Sequence, residues 1–176
     1  HMAPTLLNSV AWDCQVLTYR NNEGGLTMHR FDGDEIARTD HLAVFGPLYS
    51  PFSTDKGIGF IQGDFDVANV VEITEHGVVN ITELSKSNQK SPRYWSDSKI
   101  LYVSNESGIA QLYLFDRVTK EKIQVSEFVN DSYIRNLDVV PDKGLLVLET
   151  QEQIRLFKLS EESQRFVMVS EFSGAN

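Results

Sequence analysis

The sequence lacks the features of disulfide-stabilised, membrane-spanning and nucleic-acid-binding proteins. Cys14 is the only cysteine among 176 residues, so an intramolecular disulfide and a zinc site built from cysteines are both excluded. No apolar run approaches the roughly 20 residues that a membrane-spanning helix needs. Sixteen basic and 25 acidic residues give a net charge of −9, whereas nucleic-acid binding requires clustered positive charge. We therefore expect no nucleic acid contact and no membrane span in this segment.

Motifs for catalysis and for helices are also missing. There is no Gly-x-Ser-x-Gly sequence and no His-Glu-x-x-His sequence, which excludes the common nucleophile elbow and zinc peptidase signatures. Apart from His1, the histidines are His29, His41 and His76, and none has the spacing of a metal site. No segment longer than about ten residues has a 3.6-residue apolar period, so helix should be nearly absent. We predict a protein without catalytic residues, metal or cofactor.

What the sequence does contain is an internal repeat. A turn-forming aspartate precedes an apolar, β-rich run at four places, and these aspartates are spaced by 42, 42 and 45 residues: Asp13, Asp55, Asp97 and Asp142. Residues 111–115 (QLYLF) return 42 positions later as 153–157 (QIRLF), and 125–128 (VSEF) return as 169–172. Asp97 and Asp142 are 45 residues apart, whereas QLYLF and QIRLF are 42 apart. This difference indicates that a hairpin loop of the last unit is about three residues shorter. Fixed self-similarity of this length is typical of repeat architectures.

Each unit divides into four short strands, most clearly in the third unit. Residues 92–96, 99–104, 110–115 and 122–128 are rich in β-forming residues, and turn residues such as Asp97 and Gly108 separate them. A β-sandwich would also show closely spaced strands, but it gives no reason for features to recur in register. We therefore predict an all-β array of four β-propeller blades, each of four antiparallel strands with a period of about 42 residues.

The blades are expected at about residues 6–40, 43–84, 90–128 and 132–173. Residues 1–2 are interpreted as a cloning remnant, and we expect the chain to be a segment of a larger protein. Most propellers close with more than four blades. We therefore predict that the chain either closes as a small four-bladed ring or pairs with a second copy, two arcs then forming one eight-bladed homodimeric ring.

The third unit resembles the TolB-type (PD40, WD40-like) propeller repeat. Residues 95–104 (WSDSKILYVS), Gly108 and residues 111–116 (QLYLFD) are similar to that family's Trp-Ser-Pro-Asp-Gly-Lys turn, β run, Gly turn and aromatic strand ending in Asp. Ser98 replaces the family's Gly, and the Pro before Asp97 is absent. The first and fourth units match less well and the second least.

The resemblance implies a propeller with one of several functions, because one fold hosts many roles. Such repeats occur in periplasmic scaffolds that bind envelope proteins and in the extracytoplasmic half of membrane-anchored winged-helix regulators similar to CadC and ToxR. We therefore expect a non-catalytic module for protein or ligand binding, a sensor or scaffold domain in the periplasm. The alternative is a propeller belonging to an enzyme, either the gating domain of a prolyl-oligopeptidase-type peptidase or a propeller hydrolase.

Two sets of residues are candidates for contact with a partner or ligand. Aromatic residues at the ends of first strands are expected mainly to pack between blades, with contact to a partner as the alternative: Trp12, Tyr94 and Trp95. Loop residues form either a solvated rim or a surface that steers a basic partner: Arg20, Asp64, Asp66, Glu106 and Asp131. Asp64 and Asp66 also have the oxygen ligands that calcium prefers, but they lack the full spacing of a calcium loop.

Overall fold

The computed structural model describes residues 11–12, 16–20, 25–43, 48–54, 57–63, 67–74, 77–82, 86–129 and 133–173. Within these ranges the chain forms four separate sheets, each of four antiparallel strands. One short 3-10 turn at Pro141–Lys143 is the only helical element among them. The sheets follow one another along the chain and are numbered sheet 1 to sheet 4.

The strands of every sheet pair in chain order. Sheet 1 contains β1 (Ala11–Trp12), β2 (Val16–Arg20), β3 (Leu26–Asp32) and β4 (Glu35–Leu42). Sheet 2 contains β5 (Leu48–Thr54), β6 (Gly57–Gly63), β7 (Ala68–Thr74) and β8 (Gly77–Asn80). Sheet 3 contains β9 (Gln89–Ser96), β10 (Lys99–Ser104), β11 (Gln111–Asp116) and β12 (Lys122–Gln124). Sheet 4 contains β13 (Ile134–Val140), β14 (Leu145–Thr150), β15 (Gln153–Leu159) and β16 (Phe166–Ser173).

The turns between strands follow the local sequence. Between β10 and β11, Gly108 has φ 99° and donates from its N–H to the Asn105 carbonyl oxygen at 2.9 Å, a backbone conformation that favours glycine. Six residues separate β10 from β11, whereas two separate β14 from β15. The turn before β14 has one more residue after its aspartate than the turn before β10. The β14–β15 loop is therefore four residues shorter than its counterpart, and the turn before β14 is one residue longer. Together these differences explain why Asp97 and Asp142 are 45 residues apart whereas QLYLF and QIRLF are 42 apart.

The first strands of the four sheets lie side by side. Among the described residues, β5 contacts both β1 and β9, and β9 contacts β13, whereas β13 and the two described residues of β1 make no comparable contact. The inner strands β5 and β9 each contain a Ser-Pro pair at a register irregularity, where Ser50 and Ser91 have φ values of 51° and 52°. Because proline cannot donate to the ladder, a bulge is the position in a paired strand that accepts it.

Three apolar clusters lie between successive sheets. Between sheets 1 and 2 the cluster contains Leu26, Met28, Leu48, Ile58, Phe60, Val71 and Ile73. Between sheets 2 and 3 it contains Phe52, Ile61, Ala68, Val70, Ile81, Ile100, Tyr102, Tyr113 and Phe115. Between sheets 3 and 4 it contains Leu101, Val103, Ala110, Leu112, Val125, Ile134, Leu137, Leu146, Leu148, Phe157 and Phe166. Burial of this apolar surface stabilises the array, because each sheet covers a face of the next.

A buried ion pair also joins sheets 2 and 3. Arg117, in the turn after β11, donates from Nη1 to Glu72 Oε1 on β7 at 2.9 Å, and both side chains are only 7% exposed. Its Nη2 donates to the Asp97 carbonyl oxygen, and its backbone N–H donates to the Ser98 carbonyl oxygen at 2.7 Å. Arg117 therefore connects the β9–β10 turn of sheet 3 with the third strand of sheet 2.

The repeated segment VSEF occupies two different environments. In sheet 3, residues 125–128 leave β12 and cross towards sheet 4, with Val125 and Ser126 buried. In sheet 4, residues 169–172 lie inside β16, where Val169 and Phe172 are exposed. The sequence repeat is therefore not a structural repeat at this point, since Val125 packs beneath a following sheet and Val169 does not.

Candidate functional site

A groove of about 650 Å³ lies between the segment that leaves sheet 3 and the outer strands of sheet 4. We call it the 3–4 groove. Its lining residues come from the 127–129 segment, from β15, and from β16 with the turn before it: Glu127, Phe128, Val129, Arg155, Phe157, Ser163, Arg165, Phe166, Val167, Met168 and Glu171. Its volume lies within the range of about 300 to 1,000 Å³ that is usual for ligand-binding clefts.

The floor of the 3–4 groove is aromatic. The rings of Phe128 and Phe157 are 5.8 Å apart between centroids, at an interplanar angle of 61°. Phe166 packs edge-on against Trp95 of sheet 3, at 5.3 Å and 89°. Phe157 and Phe166 are buried and belong to the apolar cluster between sheets 3 and 4, whereas Met168 is half exposed above them. The rigid floor with a flexible methionine over it is suited to apolar side chains of a partner.

The buried side chain of Gln111 holds one wall of the groove in place. Its Oε1 accepts from Ser126 Oγ at 2.6 Å and from the Phe128 N–H at 3.0 Å, and its Nε2 donates to the Phe128 carbonyl oxygen at 2.7 Å. Ser126 Oγ in turn accepts from the Leu112 N–H at 2.8 Å. The backbone of the 126–128 segment is therefore fixed by side-chain hydrogen bonds, although this segment has no strand partner of its own among the described residues.

Two ion pairs lie at the rim of the groove. Arg155 Nε donates to Glu171 Oε2 at 2.9 Å, and Gln153 joins both side chains by further hydrogen bonds. Arg165 pairs with Glu127 across the groove. These pairs are half-exposed or exposed, so they add little to stability. The apolar floor of the groove is therefore flanked by both positive and negative side chains.

The groove lies beside the longest apolar sheet edge in the described chain. β16 has eight residues and is the edge strand of sheet 4, and its first six residues, FVMVSE, contain only one charge. The first N–H of this strand, that of Phe166, donates to the Val125 carbonyl oxygen at 2.8 Å. Beyond that point no described strand pairs with the outer side of β16. Two other edge strands in the described chain have eight residues. β4 contains Glu35, Arg38, Asp40 and His41, whose polar side chains discourage pairing, and β9 contains Pro92 and contacts β5 and β13.

The structure places three of the predicted contact residues in different surroundings. Trp95 packs against Phe166 in the cluster between sheets 3 and 4. Tyr94, its neighbour on β9, donates from its hydroxyl to Asp97 Oδ1 at 2.8 Å. Glu106, in the turn after β10, accepts from Lys122 Nζ at 2.6 Å. Because Tyr94 and Glu106 lie at opposite ends of sheet 3, the structure does not bring these residues together in one site.

The remaining predicted contact residues lie either in sheet 1 or outside the described residues. Trp12 and Arg20 lie on β1 and β2. The aspartates Asp64, Asp66 and Asp131 lie outside the described residues.

Two stacked tyrosines lie near Glu106. The rings of Tyr102 and Tyr113 are 6.0 Å apart, and the hydroxyl of Tyr113 donates to Gln124 Oε1 at 3.2 Å. The Tyr102 hydroxyl is fully buried and has no hydrogen-bond partner among the described residues. Burial raises the pKa of Tyr102, and the negative charge of Glu106 raises it further.

Tyr102→Phe is expected to stabilise the chain by about 1 kcal/mol, because it removes a buried hydroxyl without a partner. In the wild type, the raised pKa means that the unfolded chain loses its phenolic proton first. The stability from this group is therefore complete below the unfolded pKa of about 10 and is lost as pH rises above it. Urea unfolding at pH 7 and at alkaline pH tests both points. Tyr133→Phe, at an exposed tyrosine, is the control. It should change neither the free energy of unfolding at pH 7 nor its decrease at alkaline pH.

One signal for the groove is visible in the sequence. Arg155 stands where the third unit has Tyr113, in an otherwise apolar repeat, and it forms the rim pair with Glu171. The other groove residues carry no local signal, because they come from separate segments and are ordinary strand residues in sequence.

Comparison with known proteins identifies the fold as a β-propeller, as the sequence predicts. No protein-family model matches the sequence, and no curated protein matches it. A protein assigned as TolB from Agrobacterium tumefaciens has a similar structure, with a TM-score of 0.65, 9% identity, and coverage of 90% of this chain and 61% of that one. TolB from Acinetobacter baumannii has a TM-score of 0.64 and 14% identity, with 93% and 43% covered. KlAtg21, solved with the coiled coil of AgAtg16, has a TM-score of 0.61 and 16% identity, with 92% and 54% covered.

These similarities show the fold alone, a TolB-like array in which the four sheets are blades. The chain spans 43 to 61% of the length of these three structures. Across the described residues, no helix has the length and apolar character needed to cross a membrane. In the same ranges, no group of three or more His, Cys, Asp or Glu side chains is arranged to hold a metal ion.

Proposed function

We propose that this chain is a non-catalytic propeller module that binds an extended, apolar segment of a partner protein along β16 and the 3–4 groove. The observation that carries the proposal is the juxtaposition of an open groove with a long, apolar strand edge that no described strand pairs with beyond Phe166. An added strand would form main-chain hydrogen bonds with the outer edge of β16, which is the general mode of β-augmentation.

The side chains of the groove would select the sequence of that segment. Phe166, Met168 and Glu171 of β16 line the groove, so alternate side chains of an added strand would point into it. Phe128 and Phe157 would contact apolar side chains, because they form the floor. The rim pairs Arg155–Glu171 and Arg165–Glu127 would orient polar residues at the ends of the segment. The preferred partner is therefore an extended peptide with apolar residues at every second position.

We infer a setting in the bacterial envelope for this module, as a periplasmic sensor or scaffold domain of a larger protein. The support is the TolB-like fold of the array and the TolB-type repeat in the sequence. A membrane-anchored transcriptional regulator is the context that we favour. The complete open reading frame tests it: an upstream winged helix followed by a membrane span is expected, and a frame with only a signal peptide before this domain would contradict it.

Met168→Glu is expected to weaken peptide binding at least about tenfold, because it places a charge above the aromatic floor. The probe is a displayed library of random linear peptides, selected on the immobilised chain and then measured individually by fluorescence polarisation. Selected peptides should carry apolar residues at alternate positions. Val118→Glu is the matched control, because Val118 is also an exposed apolar residue but lies in the β11–β12 turn. Failure to select any peptide, or selected peptides that bind both variants equally, would contradict the proposal.

A further inference from the structure

Sheet 4 has a second apolar surface, on the face opposite to sheet 3. We call it the sheet 4 outer face and define it by Val147, Ile154, Leu156 and Phe172. The strand registers place these residues on one face, since Val147 pairs with Leu156 and Ile154 pairs with Phe172. Three of the four are exposed: Val147 at 37%, Ile154 at 47% and Phe172 at 55%. Exposed apolar surface of this kind usually marks an interaction site.

The corresponding residues of sheet 3 are covered by sheet 4. Strands β14 and β15 align with β10 and β11 through the repeated segments QIRLF and QLYLF. The sheet 3 residues at the positions of Val147, Ile154 and Phe172 are Leu101, Leu112 and Val125. All three are at most 1% exposed and belong to the apolar cluster between sheets 3 and 4. The sheet 4 outer face is therefore the counterpart of a face that packs against the next sheet.

Sheet 2 shows the same arrangement. Ile81 donates from its N–H to the Val70 carbonyl oxygen at 2.9 Å, as Val125 donates to the Leu112 carbonyl oxygen. Both sheet 2 residues are at most 4% exposed and belong to the cluster between sheets 2 and 3. In each case the covering sheet is the next one along the chain. Sheet 4 thus has the apolar residues of a covered face, although none of the described sheets lies on it.

One acidic position interrupts the sheet 4 outer face. The strand registers place Glu149 where sheet 3 has Val103. Sheet 2 also carries a carboxylate on its covered face, that of Glu72, which is two residues after Val70 on β7. Arg117 of the following sheet pairs with this carboxylate at 2.9 Å. A carboxylate on such a face is therefore compatible with a following sheet that supplies a cation.

The residues that hold the connection from one sheet to the next recur in sheet 4. In sheet 3, Ser126 Oγ donates to Gln111 Oε1 at 2.6 Å, and Gln111 bonds both backbone groups of Phe128 as the chain crosses to sheet 4. Gln153 and Ser173 occupy the positions of Gln111 and Ser126, and they pair with each other across β15 and β16. A hollow of about 250 Å³ lies beside them. Its lining includes Thr150, Gln153, Ile154, Phe172 and Ser173. This hollow lies where sheet 3 holds the backbone that leads to the next sheet.

We propose that the sheet 4 outer face is an inter-blade face, and that residues following Ser173 in the same polypeptide cross it and form a fifth four-stranded sheet that covers it. The occupant is the same polypeptide because sheets 2 and 3 are each covered by the next sheet of their own chain, and because Gln153 and Ser173 repeat the residues that hold such a crossing. The similar solved propellers are longer than this chain, which spans 43 to 61% of their length.

A fifth sheet makes neither a four-bladed ring nor pairing with a second copy necessary. It also leaves the proposed peptide site open, since the 3–4 groove lies on the other face of sheet 4. The inference therefore goes beyond the peptide-binding function and can fail without affecting it.

The polypeptide encoded by the complete open reading frame is the material for the test. Its sequence should contain another aspartate turn about 42 to 45 residues beyond Asp142, followed by an apolar, β-rich run, because the repeat has that period. A reading frame that stops before such a unit, or that continues without one, would overturn the proposal.

Thiol labelling then measures whether the face is covered. Ile154→Cys and Phe172→Cys, with native cysteines replaced by serine, are reacted with a maleimide in the 176-residue chain and in the complete polypeptide. Labelling should be at least about tenfold slower in the complete polypeptide, because a covered thiol reacts only when the structure opens locally. Val118→Cys is the control, because Val118 is an exposed residue of the β11–β12 turn, and it should react at the same rate in both.

Two labelling results would contradict the fifth sheet. Equal rates for Ile154→Cys and Phe172→Cys in the two polypeptides would show that nothing following Ser173 covers the face. Labelling of the 176-residue chain that slows as its concentration rises would show that a second copy covers the face, and this result would also overturn the proposal.

Discussion

Arg117→Met is expected to lower the free energy of unfolding by about 3 to 5 kcal/mol, because it removes the Arg117 guanidinium from the buried carboxylate of Glu72. Both side chains are 7% exposed, so water replaces the lost hydrogen bonds poorly. The substitution also removes the bond from Arg117 to the Asp97 carbonyl oxygen. Urea unfolding followed by tryptophan fluorescence measures the change.

The matched control is Arg165→Met, at the exposed ion pair with Glu127. We expect that change to be within about 0.5 kcal/mol of the wild type. The double variant Glu72→Leu with Arg117→Met should recover most of the loss, since neither side chain then carries a buried charge. A loss below about 1 kcal/mol for Arg117→Met would show that water reaches this pair and that sheets 2 and 3 separate more readily than the structure indicates.

Gln111→Met is expected to cost about 2 to 4 kcal/mol, because it keeps the volume of the side chain but removes three hydrogen bonds. The Phe128 N–H, the Phe128 carbonyl oxygen and the Ser126 hydroxyl all lose their Gln111 partner. The 126–128 segment should then move, so peptides selected for the 3–4 groove should also bind more weakly. Unfolding in urea and fluorescence polarisation are the two measurements.

Gln151→Met, at an exposed glutamine in the β14–β15 turn, is the control for both measurements and should change neither. A Gln111→Met chain with weaker stability but unchanged peptide affinity would separate the two roles. It would show that Phe128 is not part of the binding surface.

The architecture was predictable because turns and strands carry local signals. The Asp97-Ser98 turn and the Gly108 turn each need particular backbone conformations, and the residues between them are β-formers. The pattern therefore predicted both the four-stranded unit and its shortened last hairpin. The repeat of VSEF misled at one point. Identical residues at 125–128 and 169–172 lie three positions apart in strand register, since Tyr113 pairs with Gln124 whereas the corresponding Arg155 pairs with Glu171.

The groove was not predictable from local pattern. Phe128, Phe157 and Met168 come from three segments, and each is an ordinary apolar residue in its own segment. Only the packing of sheet 4 against sheet 3 brings their rings and the thioether together. The sequence pattern instead indicated loop and strand-end residues such as Tyr94 and Glu106, which lie far apart on sheet 3. Arg155, a charge in an apolar repeat, was the one visible anomaly that leads to the site.

Hydrogen–deuterium exchange of the chain with and without a selected peptide tests the central claim most directly. An added strand would engage the outer amides of β16, so peptide binding should slow exchange in residues 167–173 and in the 126–129 wall of the groove. Exchange in sheets 1 and 2 should stay unchanged. Protection confined to the turn that contains Glu106, or to sheets 1 and 2, with β16 unaffected, would contradict binding along this edge.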